Sequence, residues 1–231
     1  VYHVSNARMD EIYTRHHHYG DDEVIEAQLE VSREIVSALP EDCLLLYENL
    51  WWPGLTFCRP DLAARLLEGT PHENTGFLLD SGHLMCTNWS LRDEQEAVDY
   101  VLRRYAALGE LRHRVYGMHL HRSLSGKVAA AVQRHPPRQE REGFDWMACY
   151  RYMKEVDRHE PFRTEAVRRL VETIAPQFLT HEFLMQSLAE WEDDLSQQQL
   201  SLWGNAMGRE NKAGQRNFFD ASRAFQVDNS R

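Results

Sequence analysis

Thr75-Gly76-Phe77-Leu78-Leu79-Asp80 is an apolar run of strand length that ends on a carboxylate, and the following Ser81-Gly82-His83 adds an imidazole. Working outward, the same form recurs along the chain. Leu44-Leu45-Leu46-Tyr47 runs into Glu48, Val115-Tyr116-Gly117-Met118 into His119, and Gln177 to Thr180 into Glu182. Val1 to Ser5 is a shorter run that carries His3. Continuous apolar runs of this length suit strands buried on both faces, as in a parallel sheet.

Helical periods fill the intervals. Val24, Ile25, Leu29, Ile35, Val36 and Leu39 recur on one helix face, and Pro40 stops that helix. A shorter helix is expected over Pro60 to Glu68, and an amphipathic one over Asp93 to Leu108. Val167, Leu170, Val171 and Ile174 mark another, closed by Pro176, and Ser187 to Trp203 reads as a last helix. Between Met118 and Asp157 the pattern predicts a long excursion, with Gln133 to Gly143 an exposed insertion.

A strand followed by a helix, five times over, implies a parallel sheet with helical crossovers. The expected fold is α/β, a (β/α)8 TIM barrel lacking about three N-terminal βα units. Residues 1–204 are expected to form this partial-barrel enzyme domain. Residues 205–231 are expected to be a polar tail, with Phe218, Phe219 and Phe225 able to dock.

Composition narrows the partners. The 231 residues carry a net charge of −10, with 42% hydrophobic and 27% charged residues, the balance of an ordinary globular protein. That charge disfavours non-specific attraction to phosphate backbones, although bound cations supply their own positive charge. Cys43, Cys58, Cys86 and Cys149 lack the spacing of a metal knuckle or a disulfide framework, so reduced thiols in a cytoplasmic protein are expected. No apolar stretch approaches the ~20 residues that a membrane span needs. The oligomeric state is left open.

In a parallel barrel the C-terminal ends of the strands open on one face, where active sites form. Here those ends bear His3, Glu48, Asp80, His119 and Glu182. One such residue would be ordinary; five in succession point to a metal site. A mixed nitrogen and oxygen donor set suits Zn²⁺, Mn²⁺, Co²⁺ or Fe²⁺ better than a thiolate-bound structural zinc. Paired cations would favour hydrolysis.

Glu48-Asn49, Leu79-Asp80-Ser81-Gly82-His83, His119-Leu120-His121 and Asp157-Arg158-His159, followed by Glu182, resemble the xylose-isomerase-like TIM barrels. Within that superfamily they look most like the endonuclease IV branch, the apurinic/apyrimidinic endonucleases of family 2. The resemblance runs from His3 to about Glu182. It implies that Glu48, Asp80, His119 and Glu182 hold a central metal, and that His83, Asp157 and His159 hold a second. It also implies that His3 and Glu48 contribute to a third. The cofactor is then one to three divalent ions, Zn or Mn first among them. The chain departs from that branch in its long excursion before Asp157, and in having His121-Arg122 where the branch tends to have Asn-Asp.

Further residues carry weaker expectations. Trp51, in Trp51-Trp52-Pro53-Gly54, is either an aromatic wall for a sugar ring or base, or part of a rigid turn. His121 and Arg122 are candidate substrate contacts, against a supporting role for the first and a salt bridge for the second. His16-His17-His18 reads as a solvated loop, His181 as packing outside the barrel, and Asn49 and Asn74 as loop organisers. Two activities share the four-ligand core. One is endonuclease IV-like hydrolysis of a phosphoester, on a small sugar phosphate or on damaged, abasic DNA. The other is a sugar or sugar-phosphate isomerase or epimerase, in which one metal and the Glu48/Glu182 pair work through an enediol. A barrel with a vestigial, ligand-binding metal site is the non-catalytic reading.

Overall fold

The computed structural model describes residues 1–134, 145–184 and 187–204, so most of the expected insertion and the whole tail lie outside the described residues. Strands β1 (Tyr2–His3), β2 (Leu45–Glu48), β3 (Thr75–Asp80), β4 (Val115–Leu120) and β5 (Phe178–His181) form one sheet. All four pairings are parallel, and the strands lie in chain order. This is the expected β/α alternation, five strands among the described residues where a closed (β/α)8 barrel has eight.

The expected helices form with signals visible in their ends. Helix α2 (Asp21–Ala38) starts where Glu23 accepts a hydrogen bond from the Gly20 amide, and three acidic residues in its first turn suit the positive end of the helix dipole. Its last residue precedes an extended Leu39, the conformation that Pro40 imposes on its neighbour. Helix α3 (Pro60–Gly69) opens on proline, and α5 (Glu94–Ala107) is capped by the Asp93 carboxylate on the Glu96 amide. Helices α8 (Ala166–Ile174) and α9 (Leu188–Trp203) complete that set.

Four further helices belong to segments expected to be loop: α1 (Met9–Thr14), α4 (Ser81–Cys86), α6 (Gly126–Arg134) and α7 (Trp146–Val156). A 3₁₀ turn also precedes β4, over Gly109–Arg114. The excursion before Asp157 therefore contains two helices. Helix α7 packs its Cys149, Tyr152 and Val156 inward, with Tyr13 of α1 edge-on to Tyr152.

The sheet has two differently used faces. Tyr47, Phe77 and Leu79 join the main core with the helices, and the Tyr47 hydroxyl reaches Ser32 of α2 at 2.6 Å. The other face begins with Leu46, Leu78 and Gly117, which lie together, and two residues further along each strand are Glu48, Asp80 and His119. Side chains alternate along a strand, so these three ionisable groups share that second face. The register sets His3 opposite Glu48 and Asp80 opposite His119, while Glu48 lies opposite Leu78, two residues before Asp80.

Candidate metal centre

Glu48, Asp80, His119 and Glu182 each offer one ligand atom, and these atoms lie within 4.8 Å of one another. His119 Nδ1 is the hub: it is 2.9 Å from Glu182 Oε2, 3.2 Å from Glu48 Oε1 and 3.6 Å from Asp80 Oδ2. Glu48 and Asp80 end their strands and are fully enclosed. Asn49 fixes their spacing, because its side-chain amide donates to the Asp80 carbonyl at 3.0 Å and accepts from the Asp80 amide at 2.8 Å. The side chain thereby extends the β2–β3 ladder past the last strand residue. Asp80 uses its other oxygen to cap α4, accepting the His83 amide at 2.6 Å. His3 stands at the rim, half exposed, with Nε2 3.1 Å from Glu48 Oε2.

Beside this group lies a second. Ligand atoms of His83, His121, Asp157 and His159 also fall within 4.8 Å of one another. Asp157 Oδ2 is 3.1 Å from both His83 Nε2 and His159 Nε2, and its other oxygen accepts the Ser123 hydroxyl at 2.8 Å. His83 Nδ1 donates to the Asn49 carbonyl at 3.0 Å, which leaves Nε2 for a ligand. His121 stacks on His159 with centroids 3.8 Å apart and planes 6° apart. Gly82 makes room for that ring: a Cβ there would stand 2.0 Å from His121 Cε1. The segment 157–160 is held beside the end of β4 by paired backbone bonds between Arg122 and Glu160, 2.7 and 3.0 Å long. The groups adjoin, since His121 Nε2 is 2.9 Å from Asp80 Oδ2 and His83 Nδ1 is 3.6 Å from Glu48 Oε1.

The charges are strongly coupled. Burial alone would raise the Glu48 carboxyl, but hydrogen bonds from His119 and His3 bring it down to about 2. Burial would lower His119, and its bonds to Asp80, Glu182 and Glu48 instead push it up to about 12. Against the same burial, Asp80 and Asp157 push His83 up to about 10. Asp157 itself is held far below the usual carboxylate range by His83 and His159. Protons on His83 and His119 thus offset part of the carboxylate charge.

A divalent cation fits the same donors. His121 Nδ1, His159 Nδ1 and Glu182 Oε2 are buried without a hydrogen-bond partner among the described residues. Glu182 Oε2 is close to His119 but lacks the angle of a hydrogen bond. Buried polar atoms left this way need an explanation, and a shared ion provides one. Because His83 and His119 are held protonated by their carboxylates, uptake of cations near pH 7 should release protons, and affinity should rise with pH. Titration calorimetry in buffers of different ionisation heat checks this: the observed heat should change with the buffer, and an identical heat in all buffers would contradict it.

The remaining sequence candidates fall in various places. Trp51 sits edge-on to Trp52 at 4.8 Å and packs against the Cys86, Tyr152 and Val156 cluster. Arg122 is committed to carboxylates, with Nη1 3.0 Å from Glu94 and Nη2 on Glu160, so it forms a largely buried ion-pair network. His16 and His18 are exposed between α1 and α2, and His181 bonds Gln198 of α9 at 2.7 Å. All four cysteines are free.

His121, expected at the substrate, lies inside the second group. Its sequence signal was present: it is two residues beyond His119 and so on the same strand face. Ser123 and Glu94 were not singled out, and both position the 157–164 segment.

The sequence model of one protein family, described as xylose isomerase-like TIM barrel, matches residues 8–177. No curated protein and no solved structure matches the chain.

Proposed function

For a chain that belongs to the xylose isomerase-like TIM-barrel family, we propose divalent-metal-dependent hydrolysis of a phosphoester, in the manner of the endonuclease IV branch. The observation that carries this reading is the second ligand group adjoining the first, which provides for two cations rather than one. Two such ions would lower the pKa of water and take up charge on the leaving oxygen.

The chain's own residues then divide the work by exposure. Glu182 is the most open of the first group, 39% exposed, against 2% for Glu48 and none for Asp80. Glu182 is thus placed to orient the attacking water and accept its proton. Glu48, enclosed between His3, His83 and His119, holds those imidazoles in place. Asn49 and Ser123 fix Asp80 and Asp157 from behind.

A small phosphorylated sugar or an abasic-site duplex is the substrate class; for the duplex, attraction must come from the ions, given the charge of −10. We place the reaction in the cytoplasm. No helix among the described residues is long and apolar enough to cross a membrane.

One observation favours the isomerase or epimerase reading: Glu48 and Glu182 both approach His119 Nδ1, at 3.2 and 2.9 Å, the paired carboxylates that proton transfer between adjacent carbons would use. Incubating metal-loaded protein with an abasic duplex, with sugar phosphates and with ketoses separates the two. Phosphate-ester cleavage, lost on chelation of the metals and regained on their return, is the expected outcome. Ketose–aldose interconversion without any cleavage would establish the alternative.

A further inference from the structure

A cavity of about 590 Å³ shares a wall with the second ligand group, and Trp89, Arg92, Arg122, Lys127, Arg158 and Glu160 are among its lining residues. Arg122 directly follows His121, and Arg158 stands between Asp157 and His159. Paired backbone bonds between Arg122 and Glu160 join the two pieces of this wall. We propose that the cavity is an anion subsite, which takes a second phosphate of the substrate beyond the ester at the metal groups. The proposal rests on the phosphoester reading above and adds to it that the substrate carries two anionic groups.

Charge supports it first. Arg92, Arg122, Lys127 and Arg158 line the cavity, and Arg15 lies over the Trp89 ring, 3.5 Å from its centroid. Their carboxylate partners are fewer. Arg92 pairs with Glu96, Arg122 with Glu94, and Arg122 and Arg158 share Glu160. Lys127 is exposed and has no ion pair among the described residues. Five cations thus stand against three carboxylates, in a chain whose net charge is −10.

Unmet polar groups point the same way. Trp89 Nε1 and Arg122 Nε, on two of the lining residues, are N–H donors without a partner among the described residues. Helix α6 begins at the cavity with Gly126 and Lys127. Its first turn holds no acidic residue, and the hydroxyl of the preceding Ser125 makes no hydrogen bond that could cap it. Gly126 lets the chain close in here, since a Cβ would stand 2.4 Å from the Trp89 carbonyl oxygen. A helix start that carries Lys where Asp or Glu is favoured suits an anion brought from outside. The volume is that of a ligand pocket, so it fits a phosphorylated group rather than a bare ion.

Crystals of the metal-loaded full chain, soaked in sodium selenate as an anomalous surrogate for phosphate, test the place. A selenium peak is expected in the cavity, with its oxygens at hydrogen-bonding distance, about 2.7–3.2 Å, from Arg122 or Lys127. Equilibrium dialysis then compares a pentose monophosphate with a bisphosphate, and a nucleoside monophosphate with a dinucleotide carrying two phosphates. At least one doubly phosphorylated ligand should bind about tenfold tighter than its counterpart, the worth of one charge-assisted hydrogen bond. Which of them does so tells whether the second phosphate belongs to a small sugar or to the next position of a nucleic-acid strand.

Lys127→Glu should abolish that advantage while keeping the fold, because it sets a carboxylate in the first turn of α6, where the helix dipole favours one. Arg92→Ala, at a side chain 82% exposed, should reduce it as well. Selenate only at the ligand groups, no advantage in either pair, or an advantage that survives both substitutions would overturn the proposal. Turnover enters none of these readouts, so the subsite and the proposed reaction can fail separately.

Discussion

Asp80→Asn should yield a folded protein that retains neither ion at wild-type affinity and has lost its metal-dependent turnover. One oxygen of Asp80 caps α4 through the His83 amide, a bond that an asparagine carbonyl can keep. The other oxygen faces His119 at 3.6 Å and His121 at 2.9 Å, one from each ligand group. Asparagine turns an amide nitrogen toward one of these imidazoles or removes the charge that orients both. The substitution therefore reaches both groups at once. A loss of about 100-fold in affinity at each group is expected from removing such a partner. The rate should fall by about three orders of magnitude, the several kcal/mol that metal stabilisation of charge supplies. Elemental analysis, thermal melting and turnover on the same preparation check the three parts. A variant that melts normally and keeps both ions would show that Asp80 is only a helix cap.

The largest effect on stability is expected at Glu94, outside the ligand groups. This carboxylate opens α5 yet is buried, and it gathers three separate pieces of chain. Its oxygens accept the Arg163 amide at 2.9 Å, the Thr164 amide at 2.8 Å, the Thr164 hydroxyl at 2.6 Å and the Arg122 guanidinium at 3.0 Å. Glu94→Ala would strand two backbone donors and a hydroxyl, and would leave the largely buried Arg122 with Glu160 alone. Breaking a buried ion pair from one side costs about 3–5 kcal/mol. Urea denaturation should show a loss of that size. Arg122 also pairs with Glu160, so the segment carrying Asp157 and His159 should loosen and cation affinity at the second group should fall with it. A loss below about 1 kcal/mol, the range of exposed pairs, would contradict this account of Glu94.

Much of this was legible along the chain, and the reasons differ by element. The strands announce themselves because a run such as Phe77-Leu78-Leu79 is apolar on both faces, and a carboxylate directly after it has few structural uses. Helices α2, α5 and α8 show their periods because one face is solvent and the other core. Helix α4 shows none: all six of its residues are buried, so no contrast marks it. The helices of the excursion before Asp157 lie next to a polar stretch that reads as loop, and the return of Asp157 to His83 depends on how α7 packs against α1 and the Cys86 cluster. The Arg122–Glu94–Thr164 network was hidden for a different reason. Its members are 28 and 70 residues apart, and charged residues along a chain look like solvated faces until tertiary structure buries them. His121 was legible as a site residue but expected at the substrate, because the apolar run of its strand stops at Met118; β4 runs to Leu120 and carries the ligand face past His119.

The central claim is that two adjoining groups at these strand ends each hold a divalent cation. Anomalous scattering from crystals of the metal-loaded full chain, collected at the zinc and manganese edges, tests it most directly. Two peaks are expected. One should lie at bonding distance, about 2.0–2.2 Å, from atoms of Glu48, Asp80, His119 and Glu182, and the other at that distance from His83, Asp157 and His159. A single peak in the first group, or peaks only elsewhere on the molecule, would contradict it.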